Sequence, residues 1–117
     1  MIKKTFDSFV CAVKGIVTVF KEERNFSFIL FFAVVALAIG YYFDFTLIEF
    51  AICAVIITMV LVAEMANTAI EDLCNKIEPN QDPVIGKIKD ISSGFVLLAS
   101  IGAGVAGLLV FFNHFAF

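Results

Sequence analysis

Residues 45–71 read FTLIEFAICAVIITMVLVAEMANTAIE. The run from Phe45 to Ala63 is almost wholly apolar and close to the ~20 residues a helix needs to cross a bilayer. It ends on Glu64, Asn67 and Glu71. On a helix turning about 100° per residue these three fall at roughly 0°, 300° and 340°, so they project from one stripe. At about 1.5 Å rise per residue, Glu64 and Glu71 are separated by roughly 10 Å along the axis, room for a reacting group between them. Ionisable groups at such a depth are costly and usually functional. The stretch therefore specifies a spanning helix with a polar site at a membrane surface.

Two further apolar runs, about 26–43 and about 91–112, have similar lengths. They account for a chain of 117 residues that is 62% hydrophobic with 15 Phe and a mean hydropathy of +1.02, too apolar for a soluble domain of this size. Three transmembrane helices are expected. All eight basic residues lie before the first span (Lys3, Lys4, Lys14, Lys21, Arg24) or between the second and third (Lys76, Lys87, Lys89). Basic residues are retained on the cytoplasmic side. The amino terminus and a loop of residues 72–90 are therefore expected inside and the carboxyl terminus outside. The first apolar run begins only near residue 26, so a cleavable signal peptide is not read, and the chain is treated as one domain, 1–117.

Ahead of the first span, Phe6, Phe9, Val10, Val13, Val17 and Phe20 recur at helical spacing, with Lys3, Lys4, Asp7, Lys14 and Lys21 at the polar positions. The pattern predicts an amphipathic helix on the membrane surface, whose simplest use is as an anchor. Glu22, Glu23, Arg24 and Asn25 form a charged cluster at the mouth of the first span. Glu71, Asp72, Asn75 and Glu78 lead into Pro79, Asn80, Asp82 and Pro83, where two prolines disfavour continuous helix. Lys87, Lys89 and Asp90 precede the third span. Glu23, Glu71, Lys89 and Asp90 are thus expected at one level of the membrane, either as an interfacial salt-bridge belt or as a Mg²⁺-nucleotide site. The latter needs hard oxygen ligands for the ion and ammonium charge for the phosphates. Glu64 lies deeper, with no basic neighbour in sequence. It suits a general base acting on a hydroxyl, or else an interhelical hydrogen bond.

Other features read as structural. Gly102-Ala103-Gly104-Val105-Ala106-Gly107 matches GxGxxG but lies inside an apolar run without a preceding strand, so it is no dinucleotide site. The pairs Ser100/Gly104, Gly102/Ala106 and Ala103/Gly107 suit close helix packing within or between subunits. Asn25-Phe26-Ser27 is a formal glycosylation sequon on the side expected inside. Cys11, Cys53 and Cys74 are too far apart to suggest a disulfide framework or zinc motif. His114, alone near the outer end, has no evident partner.

With these residues in view, the chain resembles the small prokaryotic integral-membrane lipid kinases, the family of diacylglycerol kinase and undecaprenol kinase. The elements that carry the resemblance are Lys14-Gly15, Glu23-Arg24-Asn25-Phe26, Glu64-x-x-Asn67-Thr68-Ala69-Ile70-Glu71 and Lys89-Asp90-x-x-Ser93-Gly94. It implies an all-α bundle of a surface helix plus three transmembrane helices, assembled as a homotrimer with active sites shared between subunits, in the bacterial inner membrane. It implies phosphorylation of the primary hydroxyl of a lipid alcohol by ATP with Mg²⁺. Glu64 then matches the catalytic base, and Glu23 and Glu71 the metal-binding carboxylates. Asn67, Lys89 and Asp90 match positions that contact or organise the nucleotide, with Lys4 and Gly15 near the adenine. Cys11, Asn75 and Asp82 stand where the family often has Tyr, Asp and His, and Cys11 and Asp82 are carried as further nucleotide positions. Pro83 and the Glu-Arg-Asn-Phe run look closer to the undecaprenol kinase branch. The alternative from another class is a non-catalytic membrane oligomer, ion-conducting or scaffolding, which predicts no ATP binding.

Overall fold

The structure, a computed structural model, describes residues 1–116 as four α-helices: α1 (Ile2–Glu22), α2 (Arg24–Tyr42), α3 (Leu47–Ile77) and α4 (Pro83–Ala116). The last three are long and apolar enough to cross a membrane. α1 is strongly amphipathic and has no buried residue, as expected of a helix that lies along a surface.

The joint between α1 and α2 is a single residue. Glu23 is extended (φ −110°, ψ 111°); its N–H donates to the Val19 carbonyl at 2.8 Å, closing α1, and its own carbonyl accepts from Ser27 N–H at 3.4 Å, opening α2. Ser27 also donates its hydroxyl back to the Phe20 carbonyl at 3.2 Å. The chain therefore turns its corner on Glu23 itself.

α2 packs inward through Phe26, Ala33 and Gly40, seven residues apart, which is two helical turns on one face. It ends in a tight turn: Phe45 N–H donates to the Gly40 carbonyl at 2.8 Å, and Asp44 adopts a left-handed conformation (φ 59°) that aspartate tolerates better than most residues. Thr46 then caps α3. Its hydroxyl accepts from Glu49 N–H at 3.2 Å while the Glu49 carboxylate accepts from Thr46 N–H at 2.9 Å, a reciprocal capping box.

α3 has 31 residues and α4 has 34; at 1.5 Å per residue they are about 46 and 51 Å long, well beyond a hydrocarbon core of about 30 Å. Their connection is accordingly only residues 78–82, which corrects the expected loop of 72–90. Asp72, Asn75, Lys87, Lys89 and Asp90 are helical. Pro83 does not break a helix here because it opens one, where its missing N–H is not needed. Asp82 caps that end, accepting from Val84 and Ile85 N–H at 3.0 Å each.

α3 is the central helix. It contacts α1, α2 and α4, and α4 touches neither α1 nor α2. The face that α4 turns inward follows Ser92, Val96, Ala99, Ala103, Ala106, Gly107, Val110 and His114. The small residues thus divide: Ala103 and Gly107 pack within the chain, whereas Ser100, Gly102 and Gly104 are exposed. An apolar core of Phe45, Cys53 and Val110, flanked by Phe50, Ile57 and Phe111, closes the end of the bundle where α2 passes into α3.

That end holds a clasp absent from the sequence reading, where His114 has no evident partner. His114 Nδ1 lies 3.0 Å from both Glu49 carboxylate oxygens and Nε2 lies 2.8 Å from the Phe43 carbonyl. Both ring nitrogens face oxygen acceptors, an arrangement that a ring donating twice satisfies in full. One signal pointed to it: the capping box puts Glu49 at the start of α3, and an antiparallel α4 must end beside it.

Candidate active site

At the opposite end the seam between α3 and its neighbours becomes polar. Glu64 is 4% exposed, Thr68 5% and Ser92 1%. A helix so apolar up to Ala63 has to pack its one inward stripe, and the 3.6-residue repeat brings Glu64, Asn67, Thr68 and Glu71 onto it. Thr68 satisfies its hydroxyl within α3 by donating to the Glu64 carbonyl at 2.9 Å. The Glu64 carboxylate makes no hydrogen bond among the described residues and its oxygens are not sealed off; Glu71 stands two turns along the same stripe, and the α1/α2 corner that carries Glu23 lies against α3. Three carboxylates, one from the α1/α2 corner and two from α3, are therefore gathered at one end of the bundle.

Two cross-helix hydrogen bonds fix α4 against this group. Ser92 Oγ donates to Asn67 Oδ1 at 2.7 Å, and Lys89 Nζ donates to Asn75 Oδ1 at 2.6 Å. Asn75 is neutral, so Lys89 is held without being neutralised and keeps its charge for another anion. Asp90 is exposed on the next position of α4. Asp82 and Lys89 both line a basin of about 610 Å³ bounded by Pro79, Asn80 and Gly86. Asp82 spends one carboxylate oxygen on the α4 cap.

The α1 positions stand apart. Lys4, Cys11 and Gly15 are all exposed; Lys4 and Cys11 share a surface patch with Lys3, Asp7 and Ser8, and nothing lies within 4 Å of where a Gly15 side chain would begin. One copy of the chain brings Glu23, Glu64 and Glu71 to one end of the bundle and ties Asn67 and Lys89 to neighbouring helices there. The ties from Ser92 and Asn75 escape sequence reasoning, because residues on different helices reveal their register only through packing.

Among the described residues no three His, Cys, Asp or Glu side chains are grouped so as to hold a metal ion by themselves. Mg²⁺ keeps several waters and takes one or two carboxylates together with substrate phosphates, so it does not call for such a group. The donor set offered by Glu23 and Glu71, both half-buried, fits such an ion.

Residues 10–111 match the family described as prokaryotic diacylglycerol kinase. Among curated proteins, the chain is 32% identical over 110 residues to the undecaprenol kinase of Bacillus subtilis, covering 94% of this chain and 89% of that one. It is 26% identical over 102 residues to the diacylglycerol kinase of Haemophilus influenzae, covering 86% of each.

Proposed function

Because the chain belongs to the prokaryotic diacylglycerol kinase family, we propose that it is an integral-membrane lipid kinase that transfers the γ-phosphoryl group of ATP to the primary hydroxyl of a lipid alcohol. One observation carries the assignment of roles: a carboxylate at 4% exposure in a membrane-spanning helix, its oxygens unbonded yet not sealed off, on the stripe of α3 that also carries Glu71. A static packing role would pair Glu64 with a donor. An acceptor left open at that depth suits a substrate that brings its own O–H.

The lipid hydroxyl meets Glu64 at the level where the apolar run ends, and Glu64 accepts its proton as the oxygen attacks the γ-phosphorus and the bond to ADP breaks. Glu23 and Glu71 would hold Mg²⁺, whose contribution is to draw negative charge from the phosphates. Lys89, held by Asn75, adds a positive charge toward the phosphates, and Asn67 and Asp90 organise the nucleotide. Positioning and charge neutralisation supply most of the rate in such transfers. Lys4, Cys11 and Gly15 on α1, with Asp82, complete the nucleotide site from the surface side.

The sparse cover of α4, of whose most apolar window 6% is buried, supports a homotrimer whose sites are shared between copies. Exposed Ser100, Gly102 and Gly104 offer it a close-packing face. The basic residues support an orientation with α1 and the 78–82 turn in the cytoplasm and the carboxyl terminus outside, in the bacterial inner membrane. Undecaprenol is the lipid we expect, supported by the 32% identity to an undecaprenol kinase.

Purified protein in mixed micelles with Mg²⁺ and labelled ATP, offered undecaprenol and diacylglycerol in parallel, tests the proposal. Phosphate should appear on undecaprenol faster than on diacylglycerol, and Glu64→Gln should lose at least a hundredfold in rate, the lower bound for a general base, while still binding ATP. No phosphorylation of either lipid together with no ATP binding overturns the kinase reading in favour of a non-catalytic oligomer.

A further inference from the structure

The helical threonines of this chain treat their hydroxyls alike. Thr5, Thr18, Thr58 and Thr68 each donate to the carbonyl four residues back, at 3.0, 2.8, 2.8 and 2.9 Å. This back-bond is always within reach on a helix and satisfies the hydroxyl at no cost in packing. Ser92 sits well inside α4 and has a carbonyl of the same kind behind it, yet its hydroxyl crosses to α3 and donates to Asn67 Oδ1 at 2.7 Å. Ser92 is also the most buried side chain described, at 1% exposure. A hydroxyl shut away from water must be paired, and this one is paired with the side-chain amide that stands three residues from Glu64 and four from Glu71.

An amide presents an acceptor on one side and two donors on the other, and a free one can turn over. With Oδ1 engaged by Ser92, the Asn67 NH₂ group is committed to the other side, among the carboxylates and whatever binds there. A donor pair suits an oxyanion ligand. We infer that Ser92 is a positioning residue that locks the Asn67 amide with its N–H groups toward the nucleotide phosphates. The inference rests on the kinase reading above and goes beyond it by adding a residue that itself touches no substrate.

Removal of the lock lets the amide rotate away or turn its oxygen to the phosphates. The loss of one neutral hydrogen bond corresponds to about a fivefold effect. Ser92→Ala should raise KM for Mg-ATP about fivefold and leave KM for the lipid within twofold. Ser92→Cys, which matches serine in shape and keeps a weak donor, should fall between Ser92→Ala and wild type. In an Asn67→Ala background, where nothing is left to position, Ser92→Ala should cost nothing more. A Ser92→Ala protein that melts earlier but keeps wild-type KM for ATP, or that loses the same factor with and without the Asn67 amide, would show that Ser92 only joins two helices. If Ser92→Ala does not fold, Ser92→Cys decides: wild-type KM for ATP overturns the inference, and an intermediate value upholds it. Absence of phosphorylation by the wild type overturns the kinase reading and this inference together; a normal wild type with an unaffected Ser92→Ala overturns this inference alone.

Discussion

Gly40→Ala probes the outer end of the bundle without touching the site. An added Cβ at Gly40 would stand 3.0 Å from Phe45 Cδ2 and 3.0 Å from Phe50 Cε1, with Phe45 Cγ at 3.2 Å, whereas carbon atoms prefer about 3.5–4.0 Å. The Phe45 ring cannot simply retreat, because its centroid lies 4.6 Å from the His114 ring and 5.4 Å from Phe111. Overpacking of this kind costs about 1–3 kcal/mol. Alanine in place of glycine in a helix returns about 1 kcal/mol. The net expectation is a loss of about 1 kcal/mol, measured by unfolding in detergent micelles followed by circular dichroism. The folded fraction should phosphorylate lipid at the wild-type rate. Phe45→Leu in the same protein removes two of the three contacts and leaves Phe50 Cε1, so the Gly40→Ala cost should fall in that background without vanishing. A Gly40→Ala protein at or above wild-type stability, or a cost that ignores residue 45, would refute the close approach of α2 to the α3 entrance.

Other consequences are as direct. Asn75→Ala releases Lys89 from its exposed 2.6 Å hydrogen bond and should lower kcat/KM for ATP about fivefold, with a loss of stability of about 1 kcal/mol at most. Chelation of divalent cations by EDTA should stop phosphorylation, and excess Mg²⁺ should restore it; activity that persists in EDTA removes the metal role of Glu23 and Glu71. His114→Ala should lower the melting temperature and speed amide exchange around Phe43–Thr46, and Glu49→Ala should do more, because Glu49 both binds His114 and caps α3. In folded protein a maleimide should label exposed Cys11 alone, with buried Cys53 and Cys74 reacting only after denaturation.

The spans were legible because hydropathy reports which residues shun water. Their ends were not, because helix continues through Asp72, Asn75 and Lys87, where backbone hydrogen bonding proceeds whatever the side chains prefer. The break in helix between the spans was legible from Pro79 and Pro83, and the Asp82 cap fixes the start of α4 at Pro83. Within the site, Glu64, Asn67 and Glu71 could be grouped in advance, since they belong to one helix and its period is fixed. Lys89 to Asn75, Ser92 to Asn67 and His114 to Glu49 could not. Each depends on how far α4 slides along α3, which is set by the short 78–82 turn and by the seam through Ala99, Ala103 and Gly107.

The clasp between Glu49 and His114 also orders events in time. Sixty-five residues separate the two partners, so during synthesis Glu49 is joined to the chain well before His114 exists. Throughout that interval Glu49 has only the Thr46 box to hold it, and the outer end of the hairpin is unfastened. A ribosome paused within α4 would leave Lys89, Asp90 and Ser92 already made but the far end of α3 open to any other donor, including one from a neighbouring chain. The clasp can therefore close only after the last turn of α4 has been made, at the end of the bundle away from the carboxylates.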